Sequence, residues 1–270
     1  MIKKNLLATI VTCCLALLAL SGAQAKELSM DELNREAQNP VADLISLPFQ
    51  YNANFNLGPH NRVQNVLNIQ PVIAFHLSEN WNLITRTILP AVYQPDLTSS
   101  NDGSYGLGDI NTTLFLSSAK PGKVMWGAGP VFLLPTATDD LLGQDKWGAG
   151  ISGVVIAQPG KWTLGALANN VWSFAGEDNR PDVNQFLFQY IVVRNLPDQW
   201  YLVSSPIITA NWEADSENRW TVPFGGGIGR LFRIGKLPVN LQAQAFYNVE
   251  KPENGPDWTL RIQLQFLFPK

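Results

Sequence analysis

Two histidines, His60 and His76, and two cysteines, Cys13 and Cys14, make up the whole stock of imidazole and thiol in these 270 residues. That stock excludes a multi-histidine or zinc–thiolate centre, and no metal or cofactor is expected. A hydrolytic site would need a serine and a base within reach of each other. His76 lies on the glutamine-bearing parity of an alternating segment at 63–77, with Gln70 and Ala74. The candidate serines Ser204 and Ser205 are distant from it in sequence, so catalysis is not expected. Gly225-Gly226-Gly227 has no strand–loop–helix context and no following Lys-Ser/Thr, as a phosphate loop requires. Close packing of inner side chains or a strand bend explains these glycines better. What remains is charge. Mid-segment charge is almost confined to Arg86 and Arg261, with Asp109 nearer a segment end. Guanidinium stays ionised at any working pH and can hold carboxylates or phosphates in bidentate fashion.

The elements that must position these arginines are strands. In 239–249, Val239, Leu241, Ala243, Ala245, Tyr247 and Val249 alternate with Asn240, Gln242, Gln244, Phe246 and Asn248. In 258–268, Trp258, Leu260, Ile262, Leu264, Phe266 and Phe268 alternate with Thr259, Arg261, Gln263, Gln265 and Leu267. Strands this long, apolar on one face and glutamine-rich on the other, are the signature of a transmembrane barrel more than of a soluble sandwich. An arginine facing lipid at the midplane costs about 2–4 kcal/mol, so both arginines belong inside.

Tight turns are expected at Ser78-Glu79-Asn80, Pro121-Gly122-Lys123, Pro159-Gly160, Leu196-Pro197-Asp198 and Gly235-Lys236. Longer polar loops alternate with them at 58–62, 94–106, 136–145, 175–182, 213–218 and 250–256. These connections give twelve strands, and hence a twelve-stranded antiparallel transmembrane β-barrel over 46–270. Propeller blades would need four short strands in each repeat, where this chain has two long ones. The nine tryptophans fall near the connections: Trp81, Trp126, Trp162 and Trp200 by tight turns, and Trp147, Trp172, Trp212, Trp220 and Trp258 by long loops. Aromatic girdles at both membrane–water boundaries account for that placement. The long loops are acidic, through residues such as Asp139, Asp140, Glu177 and Asp178, while the tight turns carry Lys120, Lys123, Lys161 and Lys236. The long loops are therefore expected to face the cell exterior, so that a tag at Asp102 would be reached on intact cells.

Residues 1–25 read as a signal peptide: Lys3 and Lys4, an apolar Leu6-to-Leu20 run, then Ala23-Gln24-Ala25. Its removal takes both cysteines and leaves 17 basic against 22 acidic residues, a formal charge of −5. A net-acidic chain is a poor partner for nucleic acid. Charged residues are only 15% of the whole, too few for an ordinary soluble surface. Residues 26–45 differ from the rest. Leu28 to Gln38 is helix-prone, with Ser29 three residues before Glu32 as in a capping box, and Pro40 ends it. This segment is read as a plug inside the barrel, a periplasmic helix or a disordered tail.

Six strings resemble a family of Gram-negative outer-membrane proteins labelled "transporter", grouped near the phenol-degradation MetA-pathway proteins and often mislabelled neuromedin U. They are Asn39-Pro40-Val41-Ala42-Asp43-Leu44-Ile45-Ser46, Asn82-Leu83-Ile84-Thr85-Arg86-Thr87-Ile88-Leu89-Pro90, Gly106-Leu107-Gly108-Asp109-Ile110-Asn111, Pro135-Thr136-Ala137-Thr138-Asp139-Asp140, Ser204-Ser205-Pro206-Ile207-Ile208-Thr209-Ala210-Asn211-Trp212 and Leu264-Gln265-Phe266-Leu267-Phe268-Pro269-Lys270. The resemblance implies a barrel that passes small molecules, aromatic ones among them, and it implies no catalytic residues. The C-terminus departs from the usual barrel ending, because Pro269-Lys270 follows the Phe266-x-Phe268 pair.

The first functional reading is an outer-membrane diffusion channel for a small-molecule solute. Its partners would be outer-membrane lipids and the barrel-assembly machinery. Its expected pore-lining residues are Arg86, Arg261, Gln263, Gln265, Gln242, Gln244, Asn68 and Gln70, with the arginines giving a weak anion preference. The rival reading is a closed structural or binding barrel plugged by 26–45. A lipid hydrolase ranks below both. The rival role for the arginines is that of struts, each paired with an inward carboxylate such as Asp109.

Overall fold

A computed structural model describes residues 28–98, 103–120 and 122–269. Residues 1–27 with the expected signal peptide, the middle of loop 94–106 with Asp102, Pro121 and Lys270 lie outside them. Among the described residues there is one α-helix, α1 (Met30–Ala37), followed by twelve barrel strands. These are β1 (Ile45–Leu57), β2 (62–76), β3 (Trp81–Gln94), β4 (104–118), β5 (Val124–Leu134), β6 (Lys146–Ala157), β7 (Trp162–Gly176), β8 (Asn184–Asn195), β9 (200–211), β10 (Trp220–Ile234), β11 (Leu237–Glu250) and β12 (Trp258–Phe268). Three strands are interrupted: β2 at Gln70-Pro71, β4 at Gly108-Asp109 and β9 at Ser205-Pro206. At Pro71 and Pro206 the cause is plain, since proline has no N–H to give the ladder.

Every strand pairs antiparallel with its sequence neighbours, and β12 closes on β1 from Ile45↔Phe268 to Phe55↔Trp258. Closure removes both sheet edges, so the ladder satisfies the backbone without water, as a lipid environment demands. All five expected tight turns connect strands at one end, and the longer loops cluster at the other.

The outer wall is the apolar parity. Ile151, Phe174 and Phe224 are about 70% exposed (70%, 68% and 70%), which an aqueous surface would not tolerate in such numbers and a lipid surface requires. Tryptophans border this band. Trp81, Trp162, Trp200, Trp220 and Trp258 each open a strand. At the turn end Trp81 meets Trp126 edge-on at 6.1 Å, and Arg194 and Arg230 lie over Trp162 and Trp200 at 5.0 and 5.1 Å. At the loop end Trp212 meets Trp220 edge-on at 5.4 Å, and Phe55 stacks on Trp258 at 4.0 Å. Apolar rings with polar edges and flanking guanidiniums are what a membrane boundary favours. This is an outer-membrane β-barrel.

The N-terminal segment docks at the turn end. Ser29 and Glu32 close the expected capping box, with the Glu32 N–H donating to Ser29 Oγ at 3.2 Å and the Ser29 N–H donating to Glu32 Oε2 at 2.8 Å. Arg35 donates to the Gln158 and Gly160 carbonyls in the β6–β7 turn. The amides of Asn34 and Gln38 donate to Asn195 Oδ1 at 3.1 and 2.8 Å. Beyond the helix the chain turns into the lumen. Val41 buries against Ile84, Phe115, Val154 and Ile156, while Leu33, Ala42 and Leu44 bury against Leu231 and Leu267. Each larger apolar side chain so buried contributes about 1.5–3 kcal/mol, so several together hold the segment in place.

Candidate functional site

Arg261 faces inward because the alternation leaves it no other side: Leu260 and Ile262, its chain neighbours, belong to the lipid wall. Its Nε donates to Asn52 Oδ1 on β1 at 3.0 Å. Its Nη1 donates to the Ser205 carbonyl on β9 at 3.0 Å, and its guanidinium lies 4.9 Å from the Phe246 ring of β11. The β9 interruption makes the Ser205 contact possible. Ser205 has left the ladder, and side chains of the lumen satisfy its backbone: its N–H donates to Gln244 Oε1 at 3.1 Å, and its carbonyl also accepts from Gln189 at 3.1 Å. Arg86 shares the inward face of β3 with Asn82 and Ile84 and donates to Gln70 Oε1 at 2.9 Å, next to the β2 interruption.

The two arginines meet at one cavity. Together with Gln70, Gln242, Gln263 and Gln265 they line a cavity of about 130 Å³ whose floor is the segment from Glu36 to Leu44. A second cavity, of about 300 Å³, lies toward the loop end, with Asn68 in its wall. Gln50 and Arg261 line both cavities, so Arg261 divides an outer chamber from an inner one. Six of the eight expected lining residues thus meet in the inner cavity and Asn68 in the outer one. Gln244 is on the inward face too, but it is buried and its amide is committed to Ser205.

Asn52, Gln50, Tyr201, Asn240 and Ser205 also belong to this site, although the sequence reading did not single them out for it. Tyr201 Oη donates to Asn240 Oδ1 at 2.8 Å, and Asn240 in turn donates to Gln265 Oε1 at 3.2 Å. The Tyr201 ring occupies the space a side chain at residue 229 would need: a Cβ on Gly229 would lie 2.2 Å from Tyr201 Cζ. Strand parity was the available signal for these residues, since each lies on an inward position.

Asp109 does not pair with either arginine. Its Oδ1 accepts the Thr136 and Ala137 N–H groups at 3.0 Å each, and its Oδ2 accepts that of Gln144 at 2.6 Å. The carboxylate therefore anchors the 136–145 loop, which Arg180 clamps from the next loop through the carbonyls of Asp140 and Gly143 and an ion pair to Asp145 at 3.5 Å. The six resembling strings converge accordingly. Two meet in this loop anchor, and four contribute to the inner cavity through Asn39 and Pro40, Arg86, Ser205 and Gln265.

His76 Nδ1 lies 2.9 Å from Asn82 Oδ1, and its Nε2 lies 3.4 Å from Asp43 Oδ2 on the N-terminal segment. The Ser204 hydroxyl donates to the Gly225 carbonyl, and the Ser205 hydroxyl is engaged with Gln244, so neither is presented to this histidine.

No family model and no curated protein matches the chain. Among solved structures it is similar to an outer membrane channel from Pseudomonas putida F1, at 16% identity and a TM-score of 0.64, over 84% of this chain and 97% of that one. It also aligns with a FadL homologue from Pseudomonas aeruginosa (10% identity, TM-score 0.44, 85% of this chain and 91% of that one). A third alignment is with outer membrane phospholipase A from Escherichia coli (12% identity, TM-score 0.42, 83% and 96%). At 16% identity the first likeness is one of fold: this chain has the closed barrel form of an outer-membrane channel.

Proposed function

We propose that this protein is an outer-membrane channel through which small molecules diffuse, with a preference for anions. The observation that carries the reading is the row of two chambers inside a closed barrel, divided by Arg261 and bordered by Arg86, with neither arginine in an ion pair among the described residues. Its surroundings would be outer-membrane lipid and its insertion the work of the barrel-assembly machinery. The resemblance to the family near the MetA-pathway proteins adds aromatic molecules to the solutes worth testing. An enzymatic role is not proposed, because the hydroxyls of Ser204 and Ser205 are engaged away from His76.

Liposome swelling tests the channel. Vesicles containing the folded protein should swell in small sugars and faster in the sodium salts of small carboxylates. Swelling no faster than in empty vesicles would reject it. One observation favours a second reading, a barrel closed by its own N-terminus: Val41, Ala42 and Leu44 are buried among inward side chains at the turn end. Under that reading swelling appears only after residues 26–45 are deleted.

A further inference from the structure

The inner cavity has two unlike walls. On β12, β1, β2 and β3 stand Arg261, Gln263, Gln265, Gln50, Gln70 and Arg86. On β7, β8 and β9, about six places around the ring, stand Leu167, Ile191, Val193 and Val203, with Gln189, Tyr201 and Ser205 beside them. Cationic and amide groups thus face aliphatic ones across the lumen.

The cationic wall is underspent. A guanidinium has five N–H donors. Arg86 gives one hydrogen bond, to Gln70, and Arg261 gives two, to Asn52 and Ser205. Among the described residues the buried side-chain polar atom left without a partner is Arg219 Nε, which is elsewhere, so the unspent donors of Arg86 and Arg261 face open space. Glu36, the carboxylate that lines the cavity, makes no ion pair with either arginine. Two neighbouring cations in a low-dielectric lumen are costly without a paired counter-charge, and among the described residues no carboxylate pairs with either.

We propose that Arg86 and Arg261 form a binding site for a small carboxylate with an apolar body. The carboxylate takes the unspent guanidinium donors and the apolar body lies on Leu167, Ile191, Val193 and Val203. The inference rests on the channel reading for the ligand's route to the site. Inorganic phosphate satisfies the arginines but gains nothing from the aliphatic wall, and an uncharged amide of the same length gains only from that wall.

Isothermal titration calorimetry on the detergent-folded mature protein tests this, with hexanoate, hexanamide and inorganic phosphate titrated in turn and protein-free micelles as blank. Hexanoate should bind saturably, and at least about tenfold more tightly than either of the others. Arg86→Gln and Arg261→Gln should each weaken hexanoate by about tenfold or more, with folding checked by heat-modifiable gel mobility. Should a variant fail to fold, the three-ligand comparison on the unmodified protein still decides. Hexanamide binding as well as hexanoate would overturn the proposal, because the arginines would then be unread. Phosphate binding as well as hexanoate would overturn it too, because the aliphatic wall would have no part. Absence of hexanoate binding in a protein that conducts removes this site and leaves the channel; binding without conductance does the reverse.

Discussion

Arg261 is held by groups from three other strands, and of its two hydrogen-bond acceptors Asn52 is the one that can be removed without touching the backbone. Asn52→Leu leaves the Arg261 Nε–H in an interior position without its acceptor. A loss of about 1–3 kcal/mol is expected, read as a lower melting temperature of the detergent-folded protein, while the lipid-facing Ile262→Leu should be nearly silent. Asp109 makes a comparable prediction at the mouth. Asp109→Ala removes the acceptor of three backbone N–H groups, and the 136–145 loop should become sensitive to protease on the folded barrel. An unchanged digestion pattern would mean that Arg180 alone holds the loop. The inward direction of both arginines was legible in the sequence, because a mid-strand arginine facing lipid costs about 2–4 kcal/mol. Their partners were not. Alternation reports a face, and it carries no information about which distant strand a side chain meets. The Ser205 carbonyl is a backbone group advertised by nothing beyond Pro206, and Asp109 looked like an available carboxylate until the loop it binds was seen to fold back over it.

The N-terminal segment shows the same limit for an element. Ser29 and Glu32 announced a helix start, and Pro40 its end, but a capping box says nothing of where a helix docks. That depends on Asn195, Gln158 and Gly160, which are brought together only when the barrel closes. Docking carries a pH signature. Burial of Glu36, with repulsion from Asp43 added, raises its carboxyl above the ordinary carboxylate range. A raised value in the folded state means that docking is favoured while Glu36 is protonated and is weakened as pH rises through that value. Glu36→Gln should therefore protect the segment from protease better at neutral pH and make little difference below the ordinary carboxylate range. Equal protection of both proteins at neutral pH would show that Glu36 does not oppose docking. The five tight turns and the strand spans around them, by contrast, were open to a first reading, because glycine, proline and asparagine mark turns through backbone chemistry local to them.

At the scale of the whole molecule, twelve strands close because a membrane leaves no backbone group unpaired, and the outer wall is apolar for the same reason. What the closed barrel does depends on its lumen, where one arginine divides two chambers and a short segment floors the inner one. Single-channel recording in a planar bilayer tests that account most directly. The folded mature protein should give discrete conductance steps, with a reversal potential under a salt gradient displaced toward that of the anion. Arg86→Gln and Arg261→Gln should move it toward zero without lowering the number of insertions. Silence from protein shown to be folded and inserted, or steps whose ion preference both substitutions leave unchanged, would contradict it.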